Sequence, residues 1–152
     1  MIGLLQRVDY ATVCVANEEI ARIQLGLLVF IGVEREDTTV EADRLLSKVL
    51  GYRLFSDDDD KMNLSLQDIN GGLLLIPQFT LAADTRKGLR PSFTPAASPK
   101  EANALFNHIC AEAKQRHAIV ETGRFGADMQ VSLTNNGPVT FRLHVPPHSL
   151  SK

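Results

Sequence analysis

The chain contains no tryptophan, only two tyrosines and only two cysteines in 152 residues. Cys14 and Cys110 lack C-x-x-C spacing and sit in apolar stretches, so packed, reduced thiols are expected rather than a disulfide or a redox pair. Long apolar runs are also missing. The strongest, residues 25–33, is about half of what a bilayer crossing needs, and the N-terminus lacks the basic, apolar and small-residue succession of a signal peptide. A cytoplasmic protein without a membrane partner is therefore expected. Neither charge sign dominates: 16 Lys plus Arg stand against 18 Asp plus Glu, a net charge of −2. That excludes a general polyanion binder and leaves room for a local basic patch.

Motif absences narrow the chemistry. There is no G-x-S-x-G elbow, no G-x-x-x-x-G-K-[ST] phosphate loop and no G-x-G-x-x-G after a strand. His108, His117, His144 and His148 show no zinc-type spacing with a cysteine, so no metal site is expected. The run Asp57-Asp58-Asp59-Asp60 lacks the spaced ligands and turning glycine of a hard-cation loop, and reads as a solvated turn.

What is present describes one domain large enough to bury its own core. Residues 2–8 and 11–16 read as two strands, 17–19 as a turn, and 20–23 as a returning strand. Residues 27–33 are apolar on both faces, as in a central strand. Thr38 or Thr39 caps a helix in which Val40, Leu45, Leu46, Val49 and Leu50 recur at helical spacing up to Gly51. After a short strand at 52–55, Gly71-Gly72 opens a second buried strand, 73–76, that Pro77 ends. A long connection, 82–97, precedes Ser98-Pro99-Lys100-Glu101, a capping box for a helix whose face carries Leu105, Phe106, Ile109, Cys110 and Ala113. Strands are expected at 118–121, 129–133 and 139–145, with a tight turn at Asn135-Asn136-Gly137-Pro138 and a frayed tail at 146–152. The fold class is α+β, β-rich with two main helices.

Three places carry candidate chemistry. Gln78-Phe79-Thr80 follows a buried strand, and strand alternation puts Gln78 and Thr80 on one side and Phe79 on the other. The Thr80 hydroxyl is a nucleophile only if a base activates it, and none lies nearby in sequence; a hydroxyl bonded to the backbone fits equally. Asn135 to Pro138 fits a plain hairpin turn. Residues 86–100 hold Arg86, Lys87, Arg90 and Lys100 without an acid, whereas 34–60 hold nine acids and four bases. With Phe93, this basic stretch suits phosphate pairing and base stacking; a solvated loop suits it as well.

Together these segments resemble the D-aminoacyl-tRNA deacylase family, whose two signature segments have the forms SQFTL and NxGPVT. Here they stand as Pro77-Gln78-Phe79-Thr80-Leu81 and Asn135-Asn136-Gly137-Pro138-Val139-Thr140. Gln6-Arg7-Val8, Gly51-Tyr52-Arg53, Arg90-Pro91-Ser92-Phe93 and Thr122-Gly123-Arg124-Phe125 extend the similarity over about residues 1–145. Pro77 departs from the usual serine and removes an N–H. Phe79 stands where a related animal deacylase of different substrate chirality carries Met.

The resemblance implies a barrel-like homodimer that needs neither metal nor cofactor. Its implied reaction is hydrolysis of the ester joining a D-amino acid, or glycine, to the terminal adenosine of tRNA, assisted by the adjacent 2′-hydroxyl. It implies that a cis Gly137-Pro138 peptide enters the partner's pocket and excludes L side chains, with Arg7 bracing it. Gln78, Phe79 and Thr80 would line the ester pocket and Met129 would lie near the adenosine, while the basic loop makes Arg86, Lys87 and Arg90 the tRNA-contacting candidates. The expected partners are aminoacyl-tRNA and a second copy of the chain, not DNA. The deacylase domain would span 1–145. Two other readings are an editing domain for an L-aminoacyl-tRNA and a non-catalytic tRNA-binding module.

Overall fold

In the computed structural model, which describes residues 1–148, the two apolar runs form β3 (Gly26–Gly32) and β6 (Gly72–Pro77), parallel neighbours at the centre of the sheet. Alternation sorts their side chains into two cores. Leu27, Val29, Ile31, Leu73 and Leu75 pack with Leu45, Leu46 and Val49 of α1 (Thr39–Gly51) and Phe106, Ile109 and Ala113 of α3 (Pro99–Arg116). Leu28, Leu74 and Ile76 face the other way, into a cluster with Val8, Ala11, Val13 and Ile23. Both faces of these strands are thus buried, as their composition requires.

The second core exists because the sheet curls. Its order is β2-β1-β3-β6-β7, with β8 paired to β1. The first strand, β1 (Ile2–Val15), pairs with β3 through its N-terminal half and with β2 (Glu18–Ile23) through its C-terminal half, while β8 (Gln130–His144) follows it along almost its whole length. Changing partners midway bends β1 and rolls the sheet into a nearly closed barrel, with β7 (Val120–Thr122) beyond β6.

This arrangement corrects the strand boundaries expected from local composition. The strands expected at 2–8 and 11–16 merge into the single β1, ending at Val15, and those expected at 129–133 and 139–145 merge into β8, Gln130–His144. Asn135-Asn136-Gly137-Pro138 is not a hairpin turn, because both of its flanks pair with β1 instead of with each other. The turn after β1 is Ala16-Asn17, both at positive φ (49° and 64°), so β2 begins earlier than expected, at Glu18. The strand expected at 52–55 shrinks to β4 (Phe55–Ser56), which pairs with β5 (Met62–Leu64) around the Asp run. There the Asp57 carboxylate accepts the N–H groups of Asp59 and Lys61 and the amide of Asn63. That makes the run a turn. A short helix, α2 (Leu66–Ile69), capped by Ser65 and Asp68, was not anticipated.

Both main helices start as their capping boxes require, at Thr38 with Glu41 and at Ser98 with Glu101. The tail is not frayed where it begins: Pro147 is buried, and the His148 N–H donates to Glu41 at 3.2 Å. The rest of the expected tail lies outside the described residues. Cys14 and Cys110 are free thiols, and among the described residues no helix is long and apolar enough to cross a membrane.

Where β3 and β6 begin, the backbones nearly touch. A Cβ on Gly26 would stand 1.9 Å from the Gly72 carbonyl oxygen, and one on Gly72 would stand 2.8 Å from Cβ of Ile23. Neither obstacle is the flexible end of a side chain. Gly26→Ala is expected to cost about 3 kcal/mol or more in urea unfolding, at the upper end of overpacking penalties. Gly51→Ala, whose Cβ would meet nothing within 4 Å, is expected to shift stability by less than about 1 kcal/mol.

Candidate active site

Pro77 ends the β6 ladder, and the chain tightens into a 3-10 turn, Phe79–Ala82. Strand alternation therefore stops at Pro77. Gln78 and Thr80 still share a side, but through the turn: the Gln78 amide donates to the Thr80 hydroxyl. Phe79 is left half exposed and packs against Phe93 with ring centroids 5.1 Å apart.

A cavity of about 620 Å³ opens beside this turn, walled by Phe30, Ile76, Gln78, Phe79, Phe93 and Met129. Thr80 is exposed, just outside that wall. Its hydroxyl meets no carboxylate or imidazole among the described residues. The N–H groups of Phe79 and Thr80 head the turn and, among the described residues, have no acceptor. Two free donors beside an apolar cavity suit a developing negative charge better than Thr80 suits nucleophilic attack.

Met129 is held in place by a close approach. The Gly123 N–H reaches the Leu75 carbonyl at 2.8 Å, the Arg124 N–H donates to the Met129 sulfur at 3.3 Å, and a Cβ on Gly123 would stand 2.9 Å from that sulfur. Phe30 and Phe125 are cavity residues that the sequence reading missed. Phe30 was legible in principle, as a large side chain on the barrel-facing register of β3. Phe125 was not, since it comes from a loop.

The second cluster lies elsewhere. Gln6 pairs with Thr140 and Val8 with Asn135, so residues 136–139 stand opposite Arg7 alone and form a four-residue bulge. Arg7 braces it, its Nε donating to the Asn136 carbonyl at 3.0 Å and its Nη1 to the Leu54 carbonyl at 2.7 Å. The Asn136 amide donates to Asp9 at 2.7 Å. Gly137-Pro138 is cis, both residues are exposed, and Gly137 has φ +127°. A Cβ there would stand 2.8 Å from Val139 Cγ2 and 3.0 Å from Arg7 Nη2.

Strand register separates the two clusters. The bulge sits at the Arg7–Leu27–Leu73 level and the cavity turn follows the Gly3–Ile31–Pro77 level. Those levels are four residues apart, about 13 Å at the usual strand rise. The structure therefore brings Gln78, Phe79 and Met129 together and, apart from them, Arg7, Gly137 and Pro138.

The basic loop is closed by paired backbone bonds between Asp84 and Ser92, at 2.8 and 3.0 Å. Arg86 folds back onto Asp84 with contacts of 2.7 and 2.9 Å, which hold that carboxyl down to about 2 and offset the Arg86 charge. Lys87 and Arg90 form no ion pair among the described residues. The histidines lie away from the cavity: His117 bonds the Gly71 carbonyl at 2.6 Å, His108 pairs with Asp43 at 2.8 Å and His144 with Glu34 at 2.7 Å. Among the described residues there is no group of three or more His, Cys, Asp or Glu that would hold a metal ion.

The curled sheet thus carries an aromatic cavity at one strand end and a braced Gly-Pro bulge at another level. The family described as D-Tyr-tRNA(Tyr) deacylase matches residues 4–144. The chain is 60% identical over 147 residues to the D-aminoacyl-tRNA deacylase of Janthinobacterium sp. (strain Marseille), covering 97% of this chain and 99% of that one. It is 61% identical over 143 residues to the protein of the same name from Pseudomonas fluorescens (strain SBW25), covering 94% and 99%. Among solved structures, one titled c-Myc DNA Unwinding Element Binding Protein superposes with a TM-score of 0.92 at 34% identity, covering 96% of this chain and 99% of that chain. A probable eukaryotic D-amino acid tRNA deacylase shares the fold, with a TM-score of 0.79 at 17% identity over 93% and 98%. The chain belongs to the D-Tyr-tRNA(Tyr) deacylase family.

Cys110 lines a shallower depression on the α3 side of Phe125, and burial pushes its thiol up to about 12. The thiolate is the reactive form, so at pH 8 about one molecule in ten thousand carries it. Alkylation of Cys110 by iodoacetamide is expected to be slow at pH 8, to quicken about tenfold per pH unit, and to become rapid on unfolding, as read by peptide mass spectrometry.

Proposed function

We propose that the chain hydrolyses the ester linking a D-amino acid, or glycine, to the 3′-terminal adenosine of tRNA, and spares L-aminoacyl-tRNA. The observation that carries this reading is the pairing of an apolar cavity, edged by free backbone N–H groups at Phe79 and Thr80, with a braced Gly137-Pro138 bulge about 13 Å along the sheet in the same chain. A second copy resolves the separation. In a symmetric dimer, the bulge of one subunit enters the cavity of the other, and main-chain carbonyls take the substrate's amino group. Rejection by backbone atoms leaves no side chain whose mutation relaxes chirality. Arg7 keeps the bulge in shape, and only glycine tolerates the φ of residue 137.

In the cavity, Phe79 and Met129 hold the acyl-adenosine, and the Phe79 and Thr80 N–H groups receive the charge that develops on the carbonyl oxygen. Water attacks with help from the ribose 2′-hydroxyl, since among the described residues no base stands by Thr80 to activate it. Lys87 and Arg90 contact phosphates, joined by Arg86 when it leaves Asp84. The protein works in the cytoplasm.

Ester loss from D-Tyr-tRNA, Gly-tRNA and L-Tyr-tRNA tests the reading. The first two are expected to be hydrolysed, with EDTA present or absent, and the third spared. Loss of L-Tyr would favour an editing domain for L-aminoacyl-tRNA, and no loss at all would favour a binding module. Thr80→Ala is expected to keep activity within about tenfold, or about 1.4 kcal/mol of barrier. D-Tyr-tRNA ending in 2′-deoxyadenosine is expected to bind and turn over poorly. A dead Thr80→Ala that still folds and binds tRNA would restore threonine as the nucleophile. Light scattering is expected to give a dimer at micromolar concentration.

A further inference from the structure

Phe125 walls two depressions. One is the cavity described above; the other, about 530 Å³, lies between α3 and residues 122–125. Its chemistry differs from that of the cavity. Asn103, Asn107 and Lys114 recur along one stripe of α3, at helical spacing, and Thr122, at the end of β7, and Arg124, just after it, line the opposite side. No Asp or Glu lines it. Lys114 and Arg124 are exposed, and neither forms an ion pair among the described residues. The Arg124 backbone N–H donates to the sulfur of Met129, a wall of the cavity, so the groove begins where the cavity ends.

We infer that this groove is a binding site for the phosphodiester backbone of the tRNA 3′ strand, carrying the nucleotides just before the terminal adenosine away from the cavity along α3. The inference rests on the deacylase reading. Two unpaired cations with neutral amide and hydroxyl donors suit phosphate and sugar oxygens, and an open groove without carboxylates puts no repulsive charge in the path of a polyanion. Of the two rings in the lining, Phe106 is buried and Phe125 is half-buried against it, with ring centroids 6.5 Å apart, so the exposed surface is mostly that of Asn107, Ala111, Lys114 and Arg124. The groove therefore positions the strand without reading its sequence.

The test compares wild type with the double variant Lys114→Glu/Arg124→Glu and with a charge-matched control, Arg44→Glu/Lys48→Glu on α1. Deacylation of D-Tyr-tRNA and of 3′-O-D-tyrosyladenosine is followed across a KCl series, and tRNA binding by fluorescence anisotropy. For the groove variant, KM for D-Tyr-tRNA is expected to rise at least about fivefold, with the salt slope shallower by about 1.4 for two lost single-strand phosphate contacts. The advantage of full-length tRNA over tyrosyladenosine falls by the same factor, and the control keeps the wild-type slope. Unchanged KM and slope, or an equal change in the control, overturns the inference. A wild type that leaves D-Tyr-tRNA intact while the groove variant still loses tRNA affinity and slope overturns the deacylase reading and keeps the groove. If the double variant melts early, Lys114→Gln, which removes one of the two cations by a single exposed change, is expected to move KM and slope in the same direction by about half as much.

Discussion

Everything in this molecule hangs on how β1 is paired. One strand keeps β8 as its neighbour on one edge while exchanging β3 for β2 on the other. A flat sheet cannot satisfy both sets of hydrogen bonds, so β1 bends and the sheet rolls. Rolling creates the inner apolar cluster around Val8, Val13, Leu28 and Leu74, separate from the outer one that α1 and α3 cover. The same pairing makes the Gly-Pro bulge. With both flanks of β8 committed to β1, the four residues between Asn135 and Thr140 have one residue opposite them and must stand out from the sheet.

The cavity follows from a different local constraint in the same frame. Pro77 cannot continue the ladder, and the 3-10 turn that replaces it exposes Phe79 and frees two N–H groups. Gly123 lets the loop after β7 close on the end of β6 and bring Met129 and Phe125 to the cavity. Proline and glycine, which weaken a regular strand, thus shape the region where the chemistry is proposed. Basic residues gather at two places, the loop with Lys87 and Arg90 and the α3 groove with Lys114 and Arg124, on a protein whose net charge is −2.

Much of this was legible locally. Capping boxes at Thr38 and Ser98 place both main helices, because a cap is made within four residues. The runs at β3 and β6 declared themselves by being apolar at every position. The signature segments declared the family. The boundaries that failed were those where a local pattern has two structural solutions. Asn135-Asn136-Gly137-Pro138 is composed like a hairpin turn, and only the presence of β1 beside both flanks makes it a bulge. Pro77 marked the end of the strand, but the strand-like alternation expected beyond it, at Gln78-Phe79-Thr80, gives way to a 3-10 turn.

By itself the sequence determined the two main helices, the capping box that starts the second, the two buried strands and the family, since each depends on side-chain chemistry at short range or on a motif read in order. Tertiary structure decided which segments share an edge, which way Phe79 and Thr80 stand, that Arg86 is spent on Asp84, and that the two signature segments sit at different levels of one sheet. The shared edges and the two levels are set by register between strands far apart in the chain, where one residue of slip reverses every side chain, whereas the Phe79 turn and the Arg86–Asp84 pair are local choices among several that composition leaves open.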